Sequence, residues 1–136
     1  PPLWGAVIRL KRATADFREL DVEMKLTRLN ANYVGTHYGG SLYSMTDPWY
    51  MLMLMDNLGR DYLVWDKSAE IRFKTPGRGT VRAFFRIDDS LLDGIRSDVG
   101  EHGKTERSLV VPIVNDQEVV VAEVTKLLWI GAKNRA

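Results

Sequence analysis

The sequence predicts an α+β domain in which a curved antiparallel sheet wraps around one long central helix. Three observations support this prediction. Two runs of alternating apolar and polar residues come first, and this alternation is typical of half-buried strands. One long apolar segment follows at residues 42–58, and four further strand-like runs with a short helical insertion complete the chain. One sheet and one wholly apolar helix can bury each other only if the sheet curls around the helix.

The composition is that of an ordinary globular protein. At 136 residues the chain is long enough to bury a sizeable core, and no linker or repeat interrupts it, so we assign residues 1–136 to a single domain. The apolar share is 45% and the charged share 27%. The net charge of +1 gives no general field for nucleic acid, and we expect no nucleic-acid partner.

Several other kinds of site are excluded by the residue types. The sequence has no cysteine, which excludes disulfides, zinc-thiolate sites and thiol nucleophiles. His37 and His102 are too far apart in the sequence to suggest a metal site. Asp47 and Asp56 bracket an apolar run much shorter than the roughly 20 residues of a membrane span. The first ten residues lack a signal-peptide core. We therefore expect a cytoplasmic protein with no metal and no membrane partner.

The two runs that open the chain predict a hairpin. Residues 6–11 and 19–26 alternate between apolar and polar side chains, and residues 14–16 provide a turn between them. Residues 27–36 contain two asparagines and a glycine and predict a loop. That loop leads to the pair Gly39 and Gly40.

The apolar segment predicts a buried helix whose starting point is open. From Trp49 to Met55 every residue is apolar or aromatic, and such a helix is surrounded by other elements. In one interpretation the helix begins near Gly40, and Pro48 lies inside it and causes a kink. In the other, Asp47 is the N-cap and Pro48 is the first helical residue. The methionines of this segment fill the core or line an acyl pocket.

The remaining strands follow this helix. Residues 62–65 and 69–74 predict extended segments, residues 75–79 a Pro-Gly turn, and residues 81–87 a further strand. Residues 88–100 predict a short second helix behind an Asp-Asp-Ser cap. Residues 105–114 and 118–130 predict a closing hairpin. Pro112 cannot donate a hydrogen bond, which indicates an edge or a bulge in its strand.

The residues that open the apolar segment form a recognisable pattern. It reads N-x5-Y-G-G-x-L-x3-T-D and consists of Asn32, Tyr38, Gly39, Gly40, Leu42, Thr46 and Asp47. The pattern resembles, without a gap, the N-x5-H-G-G-x-L-x3-A-D signature of the phenylacetate-pathway thioesterases, which have the hotdog fold. Residues 70–77 are similar to the strand and turn after the helix in that family. Residues 32–48 with the following V-W-D-K resemble a hotdog subfamily that lacks an assigned reaction.

The resemblance implies an assembly and a set of roles. It implies a homodimer, often paired again into a tetramer, with acyl-thioester sites between the subunits. One subunit provides the glycine pair and the other the carboxylate. Asp47 then corresponds to the base or nucleophile and Asn32 to the group that positions water or the carbonyl. Gly39 and Gly40 correspond to the region that stabilises the oxyanion.

Two positions depart from the family pattern. Tyr38 occupies the place of the usual histidine, and a phenol is a poor base near neutral pH. Asp66 falls where some relatives carry a small hydroxyl residue that assists water. His37 and Asp66 are candidates for contact with the substrate. Asn32 could instead cap its loop through the side chain. Tyr38 could donate a hydrogen bond at the catalytic site or pack as an ordinary aromatic.

Three basic residues complete the candidate site. Arg72, Lys74 and Arg78 either bind the phosphates of coenzyme A or form a solvated strand face. Coenzyme A is expected as part of the substrate, and no cofactor is expected.

The chemistry of thioester hydrolysis fits these residues. It needs an activated water or an attacking carboxylate, together with donors that stabilise the oxyanion. The sequence therefore predicts a thioesterase that acts on an acyl-CoA, with acyl carrier protein as the alternative carrier. A non-catalytic acyl-thioester binder stays open because Tyr38 replaces the histidine. A hotdog dehydratase is disfavoured because His37 is one residue out of register.

Overall fold

The computed structural model of the protein describes residues 7–25, 45–75 and 79–133. They form the following elements in chain order: β1 (Val7–Ala13), β2 (Glu19–Lys25), α1 (Trp49–Leu58), β3 (Tyr62–Phe73), β4 (Thr80–Arg86), α2 (Asp89–His102), β5 (Lys104–Asn115) and β6 (Val120–Ala132). The strands make one antiparallel sheet in the order β1-β2-β4-β5-β6-β3. This is the predicted α+β arrangement.

The core lies on the inner face of the sheet, where the apolar residues of the alternating runs meet. Successive side chains of a strand point to opposite faces. Leu20, Val22 and Met24 of β2 are therefore buried together, as are Val81 and Phe85 of β4. The predicted hairpins β1–β2 and β5–β6 are both present.

The two extended segments predicted after the first helix are one strand, β3. Its pairing with β6 shifts by one residue between Asp66 and Ser68, which is a β-bulge. Asp66 pairs with Leu128 before the bulge, and Ala69 pairs with Lys126 after it. Because the bulge adds one residue, Asp66 and Ala69 both lie on the inner face with their partners.

Pro112 lies where the sheet changes its pairing. β5 pairs with β6 along nearly its whole length, but with β4 only over residues 113–115. Pro112 is the first residue beyond the contact with β4, and a register shift lies between Ile113 and Val114. The missing N–H of the proline therefore leaves no gap in the β4–β5 pairing.

The first helix begins later than both predicted starts. α1 begins at Trp49, Pro48 is its N-cap, and no side chain caps the helix. Pro48 is thus neither inside the helix nor its first residue, and Asp47 is not the N-cap, because residues 45–48 form a turn. The predicted N-terminal part of this helix before Met45 lies outside the described residues. No helix of the described segments is long and apolar enough to cross a membrane.

The second helix lies where the sequence predicted it. α2 has 14 residues, Asp89–His102, and is inserted between β4 and β5. The predicted cap is present, because the Asp88 side chain accepts a hydrogen bond from the Leu91 backbone N–H at 2.9 Å.

The single chain does not surround α1 on all sides. Tyr50, Met53 and Leu54 are buried against the sheet, whereas Leu52 is 36% and Met55 47% exposed. Residues three apart on a helix are neighbours, so Leu52 and Met55 form one open apolar stripe. The prediction of a wholly covered helix therefore fails within one chain.

Candidate functional site

The structure describes part of the predicted site. The predicted residues outside the described segments are Asn32, His37, Tyr38, Gly39, Gly40 and Arg78, and their roles stay predictions. The predicted residues inside them are Asp47, Asp66, Arg72 and Lys74.

Asp47 lies in the turn that precedes α1, and its neighbours anchor this turn. Met45 and Thr46 are fully buried. The indole Nε1 of Trp49 donates a hydrogen bond to the Met45 carbonyl oxygen at 2.9 Å. Asp47 itself keeps 43% of its side chain exposed. A carboxylate is thus held at the border between the core and the solvent, just before the partly buried helix α1.

A buried lysine joins the two predicted aspartates. The Nζ of Lys126 lies 2.9 Å from Oδ1 of Asp47 and 3.3 Å from Oδ2 of Asp66. Only 1% of the Lys126 side chain is exposed. A buried ammonium is costly unless charged partners compensate it, and the two carboxylates supply this compensation. The structure therefore brings Asp47 and Asp66 to one point.

Lys126 was not among the residues that the sequence predicted for this site. Its neighbours on the inner face of β6, Val124 and Leu128, are fully buried, and Lys126 occupies the inner position between them. A lysine at an inner position of an alternating strand is an exception to the usual burial pattern. This inner position in an alternating strand is the sequence signal that could have identified Lys126.

Asp66 has an unusual electrostatic environment. Burial raises the pKa of the Asp66 carboxyl, the charge and hydrogen bond of Lys126 lower it, and the nearby Asp47 raises it again, with burial as the largest effect. Its Oδ1 has no solvent access and no hydrogen-bond partner among the described residues. The net pKa lies above the ordinary value. Asp66 therefore holds a proton more readily than an ordinary aspartate.

Arg72 and Lys74 lie apart from the carboxylates within one chain. Arg72 pairs with Glu123 across the strands and lies on the outer face, opposite to the face of Lys126. It is exposed, as is Lys74, which follows the end of β3. Their predicted role toward coenzyme A stays a prediction.

The fold resembles solved structures over most of the chain. PA5026 from Pseudomonas aeruginosa, described as a protein of unknown function and "Probable Thioesterase", has a TM-score of 0.80 and 24% identity, covering 92% of this chain and 83% of that one. A Chlorobaculum tepidum protein of unknown function has a TM-score of 0.75 and 19% identity, with 93% and 83% covered. The thioesterase HI1161 from Haemophilus influenzae has a TM-score of 0.67 and 11% identity, with 96% and 82% covered.

At these identities the likeness shows the fold, and the predicted hotdog fold is confirmed. A comparison with curated proteins gave no match. The model of the family described as "Domain of unknown function (DUF4442)" matches residues 1–130, and the chain belongs to this family.

Proposed function

We propose that this protein is a thioesterase that hydrolyses an acyl-CoA, with Asp47 as the general base or nucleophile. One observation supports this role most directly. Asp47 precedes the partly buried helix α1 of a hotdog fold but does not cap it. Its carboxylate is held by a buried lysine while the side chain stays partly exposed. Related folds described as thioesterases support the reaction class.

The reaction needs few groups. A water molecule attacks the carbonyl carbon of the thioester, and Asp47 accepts one proton of that water. The C–S bond then breaks, the thiolate leaves and the proton returns to it, which gives a carboxylic acid and a free thiol. If Asp47 attacks the carbonyl itself, an anhydride forms and water cleaves it. In both routes we assign the oxyanion to the amides near Gly39 and Gly40.

The proposal includes a homodimer. β3 is an edge strand of the sheet, and its residues Leu63, Trp65 and Phe73 are exposed. β3 lies next to the open stripe of Leu52 and Met55. Met55 and Leu63 together line a cleft of about 460 Å³. Unpaired strand edges with apolar side chains are sites of association. Pairing along β3 would cover them and join the glycine pair of one subunit to Asp47 of the other.

A second pairing of dimers would use the outer face. There Trp65 stacks on Trp129 with ring centroids 5.5 Å apart, and Trp65 is exposed. An exposed aromatic pair of this kind is a suitable centre for contact with another sheet.

The substitution Asp47→Asn tests the reaction. Asparagine keeps the shape of the side chain but cannot accept a proton at neutral pH. We expect hydrolysis to fall by at least about 100-fold, in the range that general bases contribute. Thiol release from short, medium, long and aromatic acyl-CoAs, and from an acyl carrier protein thioester, measures both the loss and the preferred carrier.

Asp93→Asn is the matched control, because Asp93 is an exposed aspartate on α2. It is expected to keep the activity of the unaltered protein. Equal turnover in Asp47→Asn and the unaltered protein would remove Asp47 from the mechanism. Saturable acyl-CoA binding without thiol release would favour the non-catalytic binder.

A further inference from the structure

We propose that Lys126 is a positioning residue of this site, whose ammonium holds Asp47 and Asp66 together so that the two carboxylates work as one pair. The role in hydrolysis rests on the proposed function. The pairing itself is a property of the fold and can be tested separately.

The position of Lys126 is fixed by the sheet. β6 lies between β5 and β3, and Lys126 pairs with Leu109 on one side and Ala69 on the other. Its side chain lies on the inner face between the buried Val124 and Leu128, and its ammonium contacts the two carboxylates. Because an inner strand cannot shift without breaking two ladders, the ammonium has a defined place in the molecule.

The carboxylates come from two separate elements. Asp47 belongs to the turn before α1, and Asp66 belongs to the edge strand β3. The distances of 2.9 and 3.3 Å from Lys126 Nζ are those of ion pairs with both. The cation offsets the repulsion between two like charges that lie close together. Lys126 therefore sets the position of the catalytic carboxylate relative to its neighbour.

The exposed fraction of the side chain increases from Lys126 to Asp66 and from Asp66 to Asp47. Lys126 is 1% exposed, Asp66 23% and Asp47 43%. The cation lies on the core side and the carboxylates lead out toward solvent, where a thioester and water can reach them. A carboxylate has two oxygens, so the one held by Lys126 orients the group and the other remains for a water molecule.

A purely structural role explains this arrangement poorly. Buried ion pairs contribute little to stability, and replacing them with well-packed apolar residues is often neutral or stabilising. A methionine would suit the apolar surroundings between Val124 and Leu128. The charged arrangement is explained if the site uses its carboxylates.

Asp47 and Asp66 lie close enough for the protonation of one to affect the other. Asp47 and Asp66 are titratable groups in contact with Lys126, and its cross-strand neighbours Ala69 and Leu109 do not titrate. Interacting carboxylates lose their protons in steps that belong to the pair rather than to one residue. Within the pair, burial and the nearby Asp47 raise the pKa of the Asp66 carboxyl, and Lys126 lowers it.

The substitution Lys126→Met tests this assignment through the pH profile of kcat/KM. Methionine keeps the approximate length of the side chain and removes the charge. We expect kcat to fall about 100-fold, as misplaced catalytic groups do, with little change in KM. The acidic limb of the profile should move to higher pH, because the two carboxylates then face each other without a cation.

Lys67→Met is the matched control. Lys67 follows Asp66 in the chain but forms an exposed ion pair with Glu106 at 2.5 Å. Its loss should leave the pH profile unchanged. An unchanged profile in Lys126→Met as well would overturn the proposal.

Two further measurements separate folding and function from the assignment. The double variant Lys126→Met with Asp66→Asn removes the uncompensated second carboxylate, so we expect it to fold and to stay as slow as Lys126→Met. Carbon-13 NMR of labelled aspartates then reads the titrations without any substrate. In Lys126→Met the carboxyl of Asp66 should titrate at higher pH than in the unaltered protein, because the charge of Lys126 no longer lowers its pKa. If the Asp66 titration does not move in Lys126→Met, the pairing is overturned. If it moves as expected but the unaltered protein releases no thiol from acyl thioesters, only the proposed function is overturned.

Discussion

The folded protein places the Asp66 carboxyl in surroundings that disfavour its charged form. Burial raises its pKa in the folded protein, so folding favours the protonated side chain. A raised pKa contributes stability that is fully present below the unfolded value, roughly 3.9, and is lost as the pH rises through the folded value. We therefore expect Asp66→Asn, which cannot ionise, to raise the melting temperature near neutral pH and to lose this gain as the solution becomes acidic. Thermal unfolding across the pH range measures it.

Asp98 offers the opposite case as a control. Hydrogen bonds from Arg107 and Thr105 lower the pKa of Asp98, so its contribution to stability is present above the unfolded pKa and is lost as the pH falls. Asp98→Asn should lower the melting temperature near neutral pH and have little effect in acid. A melting temperature of Asp66→Asn below that of the unaltered protein near neutral pH would show that the ion pair with Lys126 outweighs the burial of the carboxyl.

The sequence predicted single site residues unevenly. Asp47 was proposed from its place in a motif and Asp66 from its correspondence to a position in related proteins, and the structure brings the two together through Lys126. Lys126 was missed because a lysine in a strand is usually solvated, and only its inner position distinguishes it. Its 79-residue separation from Asp47 also left no local pattern to detect.

At the scale of elements, the ring of Trp129 in β6 occupies the space that a side chain at Gly131 would need. A Cβ on Gly131 would lie 2.2 Å from the ring of Trp129, which stacks on Trp65. We expect Gly131→Ala to displace this ring and to lower the free energy of unfolding by about 1–3 kcal/mol, as overpacking does. Denaturant unfolding measures the loss, and tryptophan fluorescence reports the displaced ring.

Gly100→Ala is the comparison for this prediction. Gly100 lies in α2, and a Cβ there would meet no atom within 4 Å. Alanine in a helix is favoured over glycine by up to about 1 kcal/mol, so this variant should gain stability. Equal stability of the Gly131 variant and the unaltered protein would mean that the tryptophan pair moves without cost.

The elements themselves were predictable where their pattern is local. Alternation along each strand predicted the six strands, and the cap at Asp88 predicted the start of α2. The start of α1 was not predictable, because both predicted starts, near Gly40 or with Asp47 as the N-cap, differ from the observed start at Trp49. Asp47 instead forms an ion pair with Lys126, a contact made only in the folded chain.

For the whole molecule, the apolar helix predicted more burial than one chain provides. The open stripe of Leu52 and Met55 adjoins the edge strand β3, where Leu63 is also exposed. We expect the protein to sediment as a homodimer. The double substitution Leu52→Glu with Met55→Glu should give monomers, because two buried charges would be unpaired at the interface. Val119→Glu, at an exposed apolar residue in the β5–β6 turn, should leave the dimer intact.

If the two subunits share one active site, catalysis depends on the dimer; if they only touch, it does not. If the glycine pair and Asp47 act from different subunits, the monomeric variant should lose thiol release together with dimerisation. Asp47→Asn chains mixed and refolded with chains altered at Gly40 should then regain activity that neither has alone, because each mixed dimer holds one intact combination. Activity in the monomeric variant, or no recovery in verified mixed dimers, would place the whole reaction within a single chain.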